Sequence, residues 1–230
     1  MSDKPIVMIS SMATKEVLHE LLEQYQASSG IVVQATSAGG VDVARRVRGA
    51  EPFDIVVLAR DAIEQLVRDG HLVAGSCVDL VRSGISVAVR AGATLPDIAS
   101  EEALRRAVLN ARSLSYSTGP SGTHLLKVFE RWGILEQIRA RIVQPPPGVP
   151  VGSLVASGAV ELGFQQLSEL MHLAGVQVLG PLPAAVQSIT TFTAALVIGS
   201  ERQSDARQVI THLAAAQTRL VKMRHGMQPT

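Results

Sequence analysis

The chain has 230 residues, carries 21 Lys+Arg against 20 Asp+Glu, and is 47% hydrophobic but only 3% aromatic. That length suits one large domain or two small lobes with a substantial core, and a net charge of +1 without any basic run gives no case for a nucleic-acid partner. Cys77 is the single cysteine, which excludes an intrachain disulfide framework and a zinc site built on paired cysteines.

The N-terminal Met1-Ser2-Asp3-Lys4-Pro5 runs into an apolar stretch, Ile6 to Ile9, that is too short for the apolar region of a secretory leader. No run is long enough to span a bilayer. As written, the sequence predicts a cytoplasmic protein, or a periplasmic one if a leader has been removed. Ile6-Val7-Met8-Ile9, Ile31-Val32-Val33 and Ile55-Val56-Val57-Leu58 read as buried strands, being short, β-branched and bounded by polar or Gly residues. Between and after them, Val17, Leu18, Leu21, Leu22 and Tyr25, then Val41, Ala44 and Val47, then Ile63, Leu66 and Val67 recur at helical spacing. This βαβαβα order implies a parallel sheet with helices on its faces.

The second part repeats the plan. Ile85 to Val89 reads as a strand, Glu101 to Leu109 as a helix, and Leu114-Ser115-Tyr116 as a strand. A Gly-rich turn, Thr118 to Gly122, leads into a helix from Thr123 to Trp132, and a proline turn follows at Pro145-Pro146-Pro147. A short helix over Val151 to Ala156, a short strand over Glu161 to Phe164, strands over Val176 to Leu179 and Ser188 to Ile198, and an alanine-rich helix over Asp205 to Val221 complete the chain. No stretch reads as a loose tether, so two lobes would be joined by strands, crossing near Val81-Arg82-Ser83-Gly84 and Gln187 to Thr193.

Polar Ser/Gly segments recur at one kind of place, the C-terminal end of a strand just before a helix: Ser10-Ser11-Met12, Thr36-Ser37-Ala38-Gly39-Gly40, Thr118 to Thr123, and Gln165-Gln166. Ligands of open parallel sheets bind there, where helix N-termini offer unpaired N–H groups that favour an anion. Each segment alone reads equally as a helix cap and turn; their joint placement points to a small anionic ligand. The Thr118 to Thr123 turn lacks the Gly-Lys-Ser/Thr of a phosphate-binding loop and the three spaced glycines of a dinucleotide site, so Gly119 and Gly122 leave a general anion cradle. Arg82, at a proposed crossing, is either a fork for a carboxylate or a structural partner of Asp79. His124, in the first turn of its helix, is a candidate acid or base. Arg45, Arg46 and Arg48 scatter around their helix and read as solvent-facing, Cys77 reads as a small packing residue, and neither a metal site nor a cofactor is expected.

Ser10-Ser11-Met12, Gly30-Ile31-Val32-Val33, Ser37-Ala38-Gly39-Gly40, Ala50 to Val56, Leu66 to Val73, the Thr118 to Gly122 turn and Val155 to Gly163, in that order, resemble the molybdate-binding-protein branch of type 2 periplasmic binding proteins. The resemblance covers nearly the whole chain. It implies two α/β lobes, each a mostly parallel sheet flanked by helices, joined by two crossing strands around a ligand cleft. The lobes would be residues 1–82 with 190–230, and 83–189. By that likeness Ser11, with Ser10 as an alternative, and Ser37 supply hydroxyls, Ala38 to Gly40 supply N–H groups, and Thr118, Gly119, Ser121, Gly122 and the backbone near Val149 close from the second lobe. An ABC transporter is the implied partner of an exported form. Gln165-Gln166 stand where molybdate binders of this branch carry a Tyr, which with Arg82 favours a larger carboxylate. The same resemblance extends to aconitate isomerase, an allylic proton shift in a tricarboxylate, for which His124 and Ser11 are the candidate catalytic residues.

Overall fold

The computed structural model describes residues 4–146 and 149–230; Met1 to Asp3 and Pro147 of the expected proline turn lie outside the described residues. The chain forms two compact units, Met1–Arg82 with Thr191–Thr230, and Ser83–Thr190.

The first unit opens with β1 (Ile6–Ser11), α1 (Lys15–Ser29), β2 (Val33–Ala38), α2 (Gly40–Arg48), β3 (Ile55–Ala59) and α3 (Arg60–Arg68). β1 lies between β2 and β3 and is parallel to both. The apolar runs are continuous because both faces of the sheet are covered. Ile6, Met8, Ile55 and Val57 pack with Val17, Leu21 and Tyr25 of α1, while Ile9, Val56 and Leu58 pack with Val43, Val47, Ile63 and Leu66 of α2 and α3. β2 departs from expectation. It starts at Val33 and extends through Thr36-Ser37-Ala38, because the ladder with β1 continues to Ser11↔Ala38 although no residue of this edge strand is fully buried and Gln34, Ala35 and Thr36 are exposed.

β4 (Val78–Arg90) is longer than the apolar run that announced it, and carries the chain from the first unit into the second. There follow α4 (Glu101–Asn110), β5 (Leu114–Tyr116), α5 (Pro120–Arg131), α6 (Leu135–Ile138), α7 (Val151–Ser157), β6 (Leu162–Gln166), α8 (Leu167–Leu170) and β7 (Val176–Pro181). The sheet order is β5-β6-β4-β7, with β5 and β6 parallel and β4 antiparallel to both of its neighbours. One face buries Val87, Leu104, Val108, Tyr116, Leu125, Phe129 and Phe164. The other receives Val151 and Val155 of α7, so closely that a Cβ on Gly163 would lie 2.4 Å from a Val155 methyl.

β8 (Ile189–Leu196) brings the chain back and pairs antiparallel with β3. Every antiparallel pair described involves β4 or β8, the strands that run between the units; the fold is α/β with a mixed sheet. The C-terminal segment, expected as one helix, is α9 (Gln203–Ala214) and α10 (Arg219–Arg224), followed by β9 (Gln228–Pro229) against Val81 and Arg82. The interruption is Ala215, extended at ψ 149°, where the Thr218 hydroxyl donates to the Ala215 carbonyl at 2.6 Å in place of a helical bond.

Candidate functional site

In the first unit the parallel register of β1 and β2 sets Ser10 opposite Ser37, and their hydroxyls meet at 2.8 Å. Ser10 is buried and Ser37 half-buried. Ser11 is a cap: its Oγ accepts from the Ala13 N–H at 3.4 Å, and its carbonyl accepts from the Thr14 hydroxyl, in the turn that contains Met12. Ala38, Gly39 and Gly40 lead into α2, whose N-terminus has no side-chain cap. A Cβ on Gly39 would meet nothing within 4 Å, so the backbone there stands open.

In the second unit the Gly-rich turn is largely helix. Pro120, with its fixed φ, starts α5 three residues earlier than apolar spacing suggested, Gly119 is its N-cap, and Ser121 and Gly122 belong to its first turn. Gly122 is required by close approach, since a Cβ would sit 1.7 Å from the Ser117 carbonyl oxygen. Ser117, which sequence reasoning passed over, pairs with Ser121 at 2.7 Å. Its signal was present as Ser at i and i+4 across the start of a helix. Thr118 is exposed. His124 Nε2 lies 2.8 Å from the Val186 carbonyl oxygen. A carbonyl only accepts, so Nε2 carries a hydrogen and Nδ1 is the basic atom of the neutral ring.

Other expected ligand groups are occupied within the fold. The Val149 N–H donates to the Pro146 carbonyl at 3.0 Å and so is not a free donor. Gln166, the buried last residue of β6 just before α8, uses its whole amide as a clamp. With the amide oriented so that its oxygen accepts from Thr190 Oγ1 (3.2 Å), its two N–H groups are shared among Ser83 Oγ (2.9 Å) and the Ser83 and Gly84 carbonyls (3.1 Å each). Gln187 makes a second clamp, accepting from Ile85 N–H at 2.9 Å and donating to its carbonyl at 3.0 Å, so that a side-chain amide stands in for a strand partner. Gln165 accepts from Gly152 N–H at 3.0 Å and donates to Glu169 at 2.8 Å. Burial pushes the Glu169 carboxyl up to about 7, opposed by the Gln165 hydrogen bond.

Arg82 is exposed on β4 and is not the partner of Asp79, which is held by Arg60 and by the Thr193 hydroxyl at 2.7 Å. Arg45, Arg46 and Arg48 pair on the surface with Asp42, Glu51 and Asp69. Cys77, expected to be a packing residue, is exposed. Among the described residues no cluster of His, Cys, Asp and Glu could hold a metal ion, and no helix is long and apolar enough to cross a membrane.

The family described as bacterial extracellular solute-binding protein matches residues 6–228. Over 230 residues the chain is 32% identical to an aconitate isomerase of a Pseudomonas species, covering 97% of this chain and 87% of that protein. Among solved structures it is similar to the periplasmic molybdate-binding protein of Azotobacter vinelandii, with a TM-score of 0.80 at 20% identity over 96% of this chain and 98% of that one. It is also similar to the sulfate-binding protein SubI of Mycobacterium tuberculosis, with a TM-score of 0.77 at 14% identity over 99% of this chain and 87% of that one. These structural likenesses carry the fold, that of the two-lobed periplasmic binding proteins. The chain belongs to the bacterial extracellular solute-binding protein family.

Proposed function

We propose that this protein reversibly binds a small anion, an oxyanion or a polycarboxylate, through neutral hydroxyl and backbone N–H donors. The observation that carries the reading is the Ser10–Ser37 hydroxyl pair at the carboxyl ends of β1 and β2, beside the uncapped start of α2. In such a pair one hydrogen is used between the oxygens; Ser10 also has the Ser11 carbonyl within 3.4 Å as an acceptor, so with Ser10 donating to Ser37 it is the Ser37 hydrogen that is left for a ligand. Ser117 and Ser121 at the start of α5 repeat the arrangement, with Gly119 beside them. The molybdate- and sulfate-binding proteins that share the fold support the same ligand class. Family membership supports an exported, periplasmic form working with an ABC transporter. Thermal-shift screening with molybdate, sulfate, citrate and trans-aconitate tests the reading: at least one anion raises the melting temperature in a concentration-dependent way, and none doing so contradicts it.

A second reading is favoured by a separate observation, the 32% identity to an aconitate isomerase over nearly the whole chain. In this reading the same cradle binds an unsaturated tricarboxylate, donors stabilise the charge that develops on the allylic system, and a base moves the proton. His124, its tautomer fixed by the Val186 carbonyl, presents Nδ1 for that role, with Ser11 as the alternative. Proton NMR of cis- and trans-aconitate in heavy water decides it: interconversion with deuterium uptake supports the isomerase, and the absence of both leaves the binder alone.

A further inference from the structure

Glu169 is a carboxyl that neither the ion pairs of the fold nor the proposed hydroxyl cradle uses. It lies in α8, one turn after Gln165, and is half-buried. Its Oε1 accepts from Gln165 Nε2 at 2.8 Å, and Gln165 Oε1 accepts from the Gly152 N–H at 3.0 Å. Carboxyl, amide and peptide N–H thus form a strut from α8 across the carboxyl end of β6 to the start of α7. The same strand register relates this strut to the candidate site. β5 and β6 are parallel neighbours with Tyr116 opposite Phe164, so the chain leaves β5 at Ser117 level with Gln165. The Ser117–Ser121 pair and the strut therefore lie at the same, carboxyl end of one sheet, with α5 packed on one face and α7 on the other.

Among the described residues, no cation contributes to the shift of this carboxyl. α7, β6 and β7, which surround it, carry no ionisable side chain. Arg90 of β4 stands at the far end of α7, beside its C-cap Gly158, and His172 follows in the turn after α8. Two influences therefore act on Glu169, burial first and the Gln165 amide second, and together they leave it titrating at about 7.

We infer that Glu169 is a positioning residue of the candidate anion site, holding Gln165 and the start of α7, and that it takes up a proton from solvent as an anion binds. The inference rests on the anion-binding reading. Its physical basis is charge: a second negative charge at the same end of the sheet disfavours the carboxylate, and protonation removes the conflict while the Gln165 hydrogen bond survives. The sign follows directly. Anion affinity is highest below about pH 7 and falls as the pH rises through it, by up to about tenfold per pH unit where a single proton is linked.

The test is calorimetric titration with sulfate and with molybdate, whose charges are constant between about pH 6.5 and 8.5, in two buffers of different ionisation heat. The wild type shows proton uptake and weakening affinity toward high pH. Glu169→Gln keeps an acceptor for Gln165 and loses the proton, so its affinity is independent of pH over this range. His124→Gln, which removes the imidazole in the first turn of α5, keeps the pH dependence. A wild-type affinity that does not change with pH, or a dependence that survives in Glu169→Gln and vanishes in His124→Gln, overturns the inference while leaving anion binding intact. A wild type that binds neither anion at any pH overturns the anion-binding reading itself, and this inference with it.

Discussion

Ser10 and Ser37 lie 27 residues apart in the chain, yet a parallel register brings their hydroxyl oxygens to 2.8 Å at the end of the first sheet. The pair is neutral, so it offers a donor to an anion without placing a fixed charge in the site. Ser117 and Ser121 do the same in the second unit, there through helical rather than strand geometry. Two different local structures arrive at one chemical device, and that repetition favours a ligand over two unrelated caps.

Gly122→Ala tests the helix start that positions Ser121. With a Cβ 1.7 Å from the Ser117 carbonyl oxygen, backbone must move. Overpacking of this kind costs about 1–3 kcal/mol or more. The expected result is a lower urea midpoint together with weaker anion binding, read by chemical unfolding and calorimetry on the same sample.

Gln166→Leu removes the clamp on Ser83, Gly84 and Thr190. Leaving buried groups without partners costs about 1–3 kcal/mol each, so the variant unfolds at a clearly lower denaturant concentration. An unchanged midpoint would return Gln166 to the list of free ligand donors.

The proton on Glu169 also has a consequence for stability. Its folded value, about 7, lies above the ordinary 4.5, so the folded state holds the proton more tightly than the unfolded chain. The associated stability is fully present below about pH 4.5 and is lost as pH rises to about 7, a change of order 3 kcal/mol at about 1.4 kcal/mol per unit. Compared by urea unfolding at pH 5 and pH 8, Glu169→Gln loses less stability than the wild type toward alkaline pH. Parallel pH profiles for the two proteins contradict the assignment.

Arg82→Gln separates a ligand fork from a structural ion pair. Asp79 is held by Arg60 and Thr193, and Arg82 is exposed, so the substitution changes stability by less than about 0.5 kcal/mol. Carboxylate affinity falls by about one to two decades while sulfate affinity holds, because hydrogen bonds to charged groups contribute roughly 1.5–3 kcal/mol. A fall in melting temperature without ligand would instead make Arg82 structural.

Much of this architecture was legible because both faces of the first sheet are buried: continuous runs such as Ile55 to Leu58 and the helical spacing of Val17 to Tyr25 carry their own signal. What periodicity did not report was backbone pairing without burial. β2 reaches Ala38 through exposed residues, and the first half of β4 is defined partly by β9, whose two residues show no pattern of their own. The start of α5 at Pro120 was hidden because Ser121 and Gly122 look like turn residues while serving as a paired hydroxyl and a close-contact glycine. In the site, serines at strand ends were visible as a type, but partners were not. That Gln165 and Gln166 face inward as a strut and a clamp depends on groups as far along the chain as Ser83 and Gly152.

The most direct test of the central claim is calorimetric titration of the wild type, Ser10→Ala and Ser37→Ala with sulfate, molybdate and trans-aconitate. Each substitution removes a neutral hydroxyl that contributes about 0.5–1.5 kcal/mol. The account predicts that at least one of these anions binds the wild type, and that each variant, folded with an unchanged circular dichroism spectrum, binds it roughly two- to tenfold more weakly. Equal affinity in all three proteins, or no binding of any of these anions by the wild type, would contradict it.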